Sequence, residues 1–200
     1  MKEDQAWQQA CAGWQVYSRT LASLEKTVDR QQWLAVSDLL ARCPGKIAVT
    51  GVGTSGIAAR KIAHMLACIE QPAIWLNPAD AAHGDIGFLR EDDVLIMISR
   101  GGNSDELGRL LPAIKAKGTP LVCVTENPDA GLARAADYLL MTPPVEEIDP
   151  LNMLATTSIL VVLALFDGML PGLMTQSGFG KDRLLNVHPG GNVGKLLREE

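Results

Sequence analysis

The stretch that decides the fold is Ile47-Ala48-Val49-Thr50-Gly51-Val52-Gly53-Thr54-Ser55-Gly56. It opens with four apolar or β-branched residues without alternation, as in a strand buried on both faces. A Gly-rich turn follows, then a helix from about Ser55 to Cys68. The same order recurs along the chain: AIWL (73–76), VLIMIS (94–99), PLVCVT (120–125) and YLLM (138–141) read as further strands. Between the third and fourth lies a helix with Leu107, Leu110, Leu111 and Ile114 on one face, and Pro112 inside it should disturb it. Residues 150–170 are apolar nearly all round and predict a buried helix. Buried strands separated by helices give an α/β fold, a three-layer αβα sandwich around a five-stranded parallel sheet. Ligands of such sheets sit beyond the carboxyl ends of the strands.

The first 42 residues read as one long helix, in which Trp7, Ala10, Trp14, Tyr17, Leu21, Leu24 and Val28 keep an a/d spacing. A stripe of that length needs a cover, supplied by the chain's own domain, by a second subunit, or by both. The chain thus divides into a helical segment, 1–44, and a sheet domain, 45–200. Cys11, Cys43, Cys68 and Cys123 stand singly without CxxC spacing, the pattern of reduced thiols in a cytoplasmic protein. The polar start MKEDQAWQQ does not read as a signal peptide, and the longest apolar run, 159–166, is too short to span a bilayer. No membrane partner is expected. The net charge of −5 argues against nucleic acid, which needs a basic footprint. It also means that a bound phosphate must be held locally, by backbone N–H groups, hydroxyls and one or two cations.

Two turns carry the chemistry. The first, residues 51–56, places permissive backbone and the hydroxyls of Thr54 and Ser55 at a helix N-terminus, where the dipole favours an anion. As a dinucleotide fingerprint it lacks the acidic residue that should end the second strand, where Asn77 stands. The second, Ser99-Arg100-Gly101-Gly102-Asn103-Ser104, offers two hydroxyls, two glycines and a guanidinium ahead of another helix. Each alone also reads blandly, the first as a tight strand–helix turn and the second as plain capping by Ser104, Asp105 and Glu106. Two such turns at neighbouring strand ends point to a phosphate.

At these turns the sequence resembles the sugar isomerase (SIS) domains, and among them the D-arabinose 5-phosphate isomerases. The resemblance spans about residues 45–197 and rests on GVGTSGIAARKIA, NPADAAHGDIG, ISRGGNSDEL, VEEIDPLNMLATTS and NVHPGGNVGKLL. It implies aldose–ketose isomerisation of a phosphorylated sugar through an enediol, without metal or cofactor, in a homo-oligomer expected to be a tetramer. The phosphate would lie on Ser99, Gly101, Ser104 and the Ser55 turn. Glu147 would be the base, His188 would assist ring opening or proton transfer from a neighbouring subunit, and His83 would contact substrate. A glutamate suits the base if partial burial raises its pKa. His64 has no matching role and reads as structural. The family's usual nucleotide-sensing modules are expected to be absent.

Four positions depart from the family pattern. Thr54 stands where a lysine is usual, Asn103 where a glutamate is, Arg100-Gly101 where Asn-Ser is, and Asn77 where a histidine associated with a metal is. Thr54 and Asn103 remain candidate substrate contacts, and Arg100 is expected to supply the missing cation to the phosphate or the enediolate. The isomerase reading requires the two turns to converge, and Glu147 to face the sugar rather than lie buried against a structural cation. Its alternatives are another phosphosugar as substrate, or a non-catalytic sugar-phosphate sensor.

Overall fold

In the computed structural model, which describes residues 2–199, the chain forms a five-stranded parallel sheet. The strands β1 (Ile47–Gly51), β2 (Ala73–Trp75), β3 (Val94–Ile98), β4 (Leu121–Thr125) and β5 (Tyr138–Met141) lie in the order β2-β1-β3-β4-β5. The helices are α1 (Lys2–Thr27), α2 (Arg30–Ala41), α3 (Thr54–Cys68), α4 (Pro78–Ala82), α5 (Asp105–Gly108), α6 (Leu111–Lys117), α7 (Gly131–Ala135), α8 (Thr157–Asp167), α9 (Leu170–Ser177), α10 (Lys181–Val187) and α11 (Gly191–Glu199).

Every residue of β1, β3 and β4 is buried, which explains why these strands read as unbroken apolar runs. Alternate side chains serve two cores. Ile47, Val49, Ile96, Ile98, Val122 and Val124 pack with Leu40 of α2, Ile62 of α3 and Leu165 of α8. On the other face Ala48, Leu95, Met97 and Cys123 pack with Leu107, Ile114 and Leu132. Burying each such Leu, Ile or Val contributes about 1.5–3 kcal/mol. Burial also pushes the Cys123 thiol up to about 12, so it is inert at neutral pH.

Two sequence expectations are corrected. The N-terminal helix is two helices, because the Asp29 carboxylate caps α2, accepting from Gln31 N at 2.8 Å and Gln32 N at 3.1 Å. The tryptophan stripe divides accordingly: Leu24 and Val28 pack on the core, while Trp7 and Trp14 are 64% and 53% exposed. The helix expected over 150–170 begins only at Thr157. Ahead of it, Asp149 and Glu147 carboxylates capture the backbone N–H groups that would have carried the helix back. Pro112 breaks its helix as expected, separating α5 from α6. Residues 157–177 are long and apolar enough to cross a membrane by length and composition alone, but Val161, Leu165 and Phe166 are core residues here.

Candidate functional site

Parallel pairing sets Gly51 opposite Ile98, so the turns after β1 and β3 leave the same sheet edge side by side. β1 joins onward to β2 on one side and lies beside β3 on the other. This is the switch point at which doubly wound sheets open a ligand crevice.

The first turn is shaped by backbone. α3 begins with no side-chain cap. A Cβ on Gly56 would come within 2.7 Å of the Gly51 carbonyl oxygen, so only glycine lets α3 start this close to the strand. Thr54 is exposed and Ser55 half-buried.

The second turn is shaped by side chains. Ser99 is buried, its Oγ 2.9 Å from Ser104 Oγ and accepting from Gly102 N at 3.2 Å. Gly102 has φ +67°, and a Cβ there would meet the Ala130 Cβ at 2.5 Å. Thr125 Oγ1 donates to the Arg100 carbonyl at 2.8 Å. Asn103 Oδ1 accepts from Gly131 N at 2.9 Å, which ties the turn to α7. Gly101 is exposed.

Glu147 lies 2% exposed at the start of α8. Its Oε2 accepts from Thr156 N and Thr156 Oγ1, both at 2.8 Å, from Thr157 N at 2.6 Å and from Ser158 N at 3.2 Å. Its Oε1 accepts from an Arg100 terminal nitrogen at 2.7 Å, while Arg100 Nε donates to Glu126 Oε1 at 3.0 Å. Burial alone would raise the carboxyl pKa, but hydrogen bonds from Ser158 and Thr156 outweigh it, so the pKa is lowered. The expectation of a raised pKa is therefore corrected: the helix N-terminus supplies more stabilisation to the charged form than burial removes. The cation beside Glu147 is not a fixture of the core, since the Arg100 side chain is 40% exposed and belongs to the second turn.

Beside the two turns runs an open cleft lined by Ser55, Arg100, Thr125, Glu126, Thr142 and Ser158 among others.

The remaining predicted residues lie farther out. His83 is exposed at the C-terminus of α4, on the connection leaving β2 and so at the same edge. Asn77 caps α4, its Oδ1 accepting from Ala79 N at 3.0 Å. His188 closes α10, with Nδ1 3.2 Å from the Leu184 carbonyl oxygen. Arg183 of α10 pairs with Glu70, just past the far end of α3. A helix of that length runs about 22 Å, so Arg183 ties the start of α10 near the opposite edge. Sequence reasoning missed Glu126 and the Thr156–Ser158 donors; the strand-end position of Glu126 was the available signal.

Fold and edge together define a doubly wound αβα domain with a polar, glycine-bearing ligand edge at its switch point. The chain belongs to the SIS domain family, whose model matches residues 39–170. It is 37% identical over 162 residues to a probable arabinose 5-phosphate isomerase of Haemophilus influenzae, covering 81% of this chain and 48% of that protein. The chain spans about half the length of the curated relatives it matches. Among solved structures, a putative sugar-phosphate isomerase from Listeria monocytogenes superposes with TM-score 0.92 at 41% identity, covering 95% of this chain and all of that one. An Escherichia coli CFT073 protein in complex with arabinose 5-phosphate gives 0.89 at 28% identity, covering 94% and 100%.

Proposed function

We propose that the chain is a cytoplasmic aldose–ketose isomerase of phosphorylated sugars, acting on arabinose 5-phosphate and ribulose 5-phosphate. The observation that carries this reading is the shared edge of two phosphate-suited turns with a buried carboxylate, Glu147, beside them. The phosphate rests on the uncapped start of α3, Ser55, Ser99, Gly101 and Ser104. Oε2 of Glu147 is fully engaged by α8, so Oε1 is the oxygen that accepts the proton. It takes the proton from C2 of the open-chain aldose and returns it to C1; a second proton passes from O2 to O1. The reaction needs no cofactor and no net redox partner. Donors at the cleft stabilise the enediolate oxygen.

His188 serves the site of a second copy, and His83 contacts substrate from the edge. The surface offers a face for that copy. Trp7 and Trp14 pack edge to face at 5.4 Å on α1, and Leu151, Met153 and Leu154 are all more than 60% exposed nearby in sequence to Ile148, which touches α1 at Gly13. We infer a homo-oligomer, a tetramer in keeping with the resemblance. Sedimentation of W7A/W14A should show dissociation into smaller species.

The low pKa and full engagement of Glu147 favour one other reading, a sugar-phosphate sensor without turnover. One assay separates the two. Ribulose 5-phosphate and a panel of aldose and ketose phosphates are incubated with the protein and with E147Q. Turnover that falls about 10²–10⁴-fold in E147Q identifies the isomerase. A thermal shift with every sugar phosphate unconverted leaves only the sensor.

A further inference from the structure

Resting on the reading that this edge takes a phosphorylated sugar, we propose that Arg100 is a latch. Its guanidinium, at the wall of the cleft, engages Glu147 Oε1, and an arriving phosphate draws it away and frees that oxygen.

Three observations lead there. Arg100 lines the cleft together with Ser55 of the first turn and Ser158 of α8, so its side chain stands between the groups that the site would use. Only one of the two Glu147 oxygens is held by Arg100; the other is held by α8 and stays fixed when Arg100 leaves. Arg100 belongs to the phosphate turn itself, between Ser99 and Gly101, so its side chain can turn to the phosphate without moving a strand.

The charges suit a movable cation. Arg100 faces two carboxylates, Glu147 and Glu126, whose side chains are 0% and 18% exposed. Glu147 faces Arg100 from the β3 turn and the positive end of α8, and its neighbour Glu146 points to solvent. Arg100 therefore serves two anions, and an arriving phosphate must compete for it. Phosphate takes a guanidinium in the same bidentate way as a carboxylate does. Arg100 is thus a positioning residue, which sets when Glu147 can accept a proton. A bare anion without a sugar would release the latch as well, and this separates the latch from the chemistry.

The test is a carboxyl ¹³C titration of glutamate-labelled protein, with the Glu147 resonance identified by its loss in E147Q. Inorganic phosphate is the probe. In the native protein, phosphate should raise the Glu147 midpoint by about one unit, the lower end of what a neighbouring cation contributes. In R100A the midpoint should already be raised, and phosphate should move it less than in the native protein, through its like charge alone. A second variant guards against R100A failing to fold. E126Q keeps the Glu147 contact but loosens Arg100, and should bind phosphate about twofold to fivefold more tightly, the worth of a partly exposed pair. Phosphate that binds, by thermal shift, while the native midpoint stays fixed overturns the latch and leaves the isomerase reading intact. Unchanged or weaker phosphate binding by E126Q overturns it too. If neither phosphate nor ribulose 5-phosphate shifts the melting temperature at all, the sugar-phosphate reading and the latch fall together.

Discussion

The two turns at the ligand edge do similar work by different means. Residues 51–56 hold their shape through backbone, with a glycine pressed onto a carbonyl and a helix left uncapped. The turn after β3 is wired by side chains: Ser99 to Ser104, Asn103 to Gly131, Thr125 to the Arg100 carbonyl, and Arg100 to Glu126 and Glu147. A backbone cradle takes any phosphate that fits, because N–H groups present the same face to all. A side-chain network can be retuned residue by residue. Selectivity and control should therefore reside in the second turn.

The largest effect should come from cutting the network at its buried end. Glu147→Ala leaves a guanidinium and the first N–H groups of α8 without their anion, and should destabilise by about 3–5 kcal/mol in denaturant unfolding. The pH dependence gives an independent readout. The folded pKa of Glu147 lies below its unfolded value, so its stabilisation is complete above the unfolded pKa of about 4.3. It is lost as pH falls through the folded value. Native protein should lose stability more steeply than E147Q on acidification below that range; parallel curves would show that Glu147 is not held as described.

Next comes the backbone turn. Gly56→Ala sets a Cβ against the Gly51 carbonyl oxygen and should cost about 1–3 kcal/mol together with phosphate binding. Gly101→Ala in the other turn meets nothing within 4 Å and should change stability by less than about 0.5 kcal/mol. Equal losses at both glycines would erase the contrast between the turns. Ser104→Ala removes the Ser99 contact and should cost about 1 kcal/mol, with weaker phosphate binding by isothermal titration.

The central strands were legible because burial on both faces leaves no polar alternation; β3 is read at 94–99 and observed at Val94–Ile98. The turns were legible because glycines, serines and a strand end coincide. The site's wiring was not. Arg100 and Glu147 are separated by 47 residues, and no local pattern states that a guanidinium from one strand end will meet a carboxylate from another. The direction of the Glu147 pKa was hidden for the same reason: its donors come from α8, whose start shifts to Thr157 only because the carboxylate is there. The break at Asp29 was readable, since an aspartate followed by helix formers is an N-cap signal. His188 is readable as part of a terminal segment, but a single chain's pattern does not say which edge that segment reaches.

A small expected effect on stability sharpens the comparison most. Thr54 is exposed at the first position of α3, so Thr54→Lys disturbs no packing. A cation at a helix N-terminus opposes the dipole and should cost about 0.3–1 kcal/mol in the absence of ligand. Phosphate reverses the sign, because the new ammonium and the dipole then flank an anion, so the melting temperature should recover on adding phosphate. In the R100A background the same change should restore part of the lost phosphate affinity, because the edge then regains a cation from the other turn. It should not restore the phosphate-dependent shift of the Glu147 midpoint, since an ammonium on α3 has no contact with Oε1 to give up. If T54K restores that shift as well, any nearby charge suffices, and the wiring of Arg100 to Glu147 is incidental to how the second turn works.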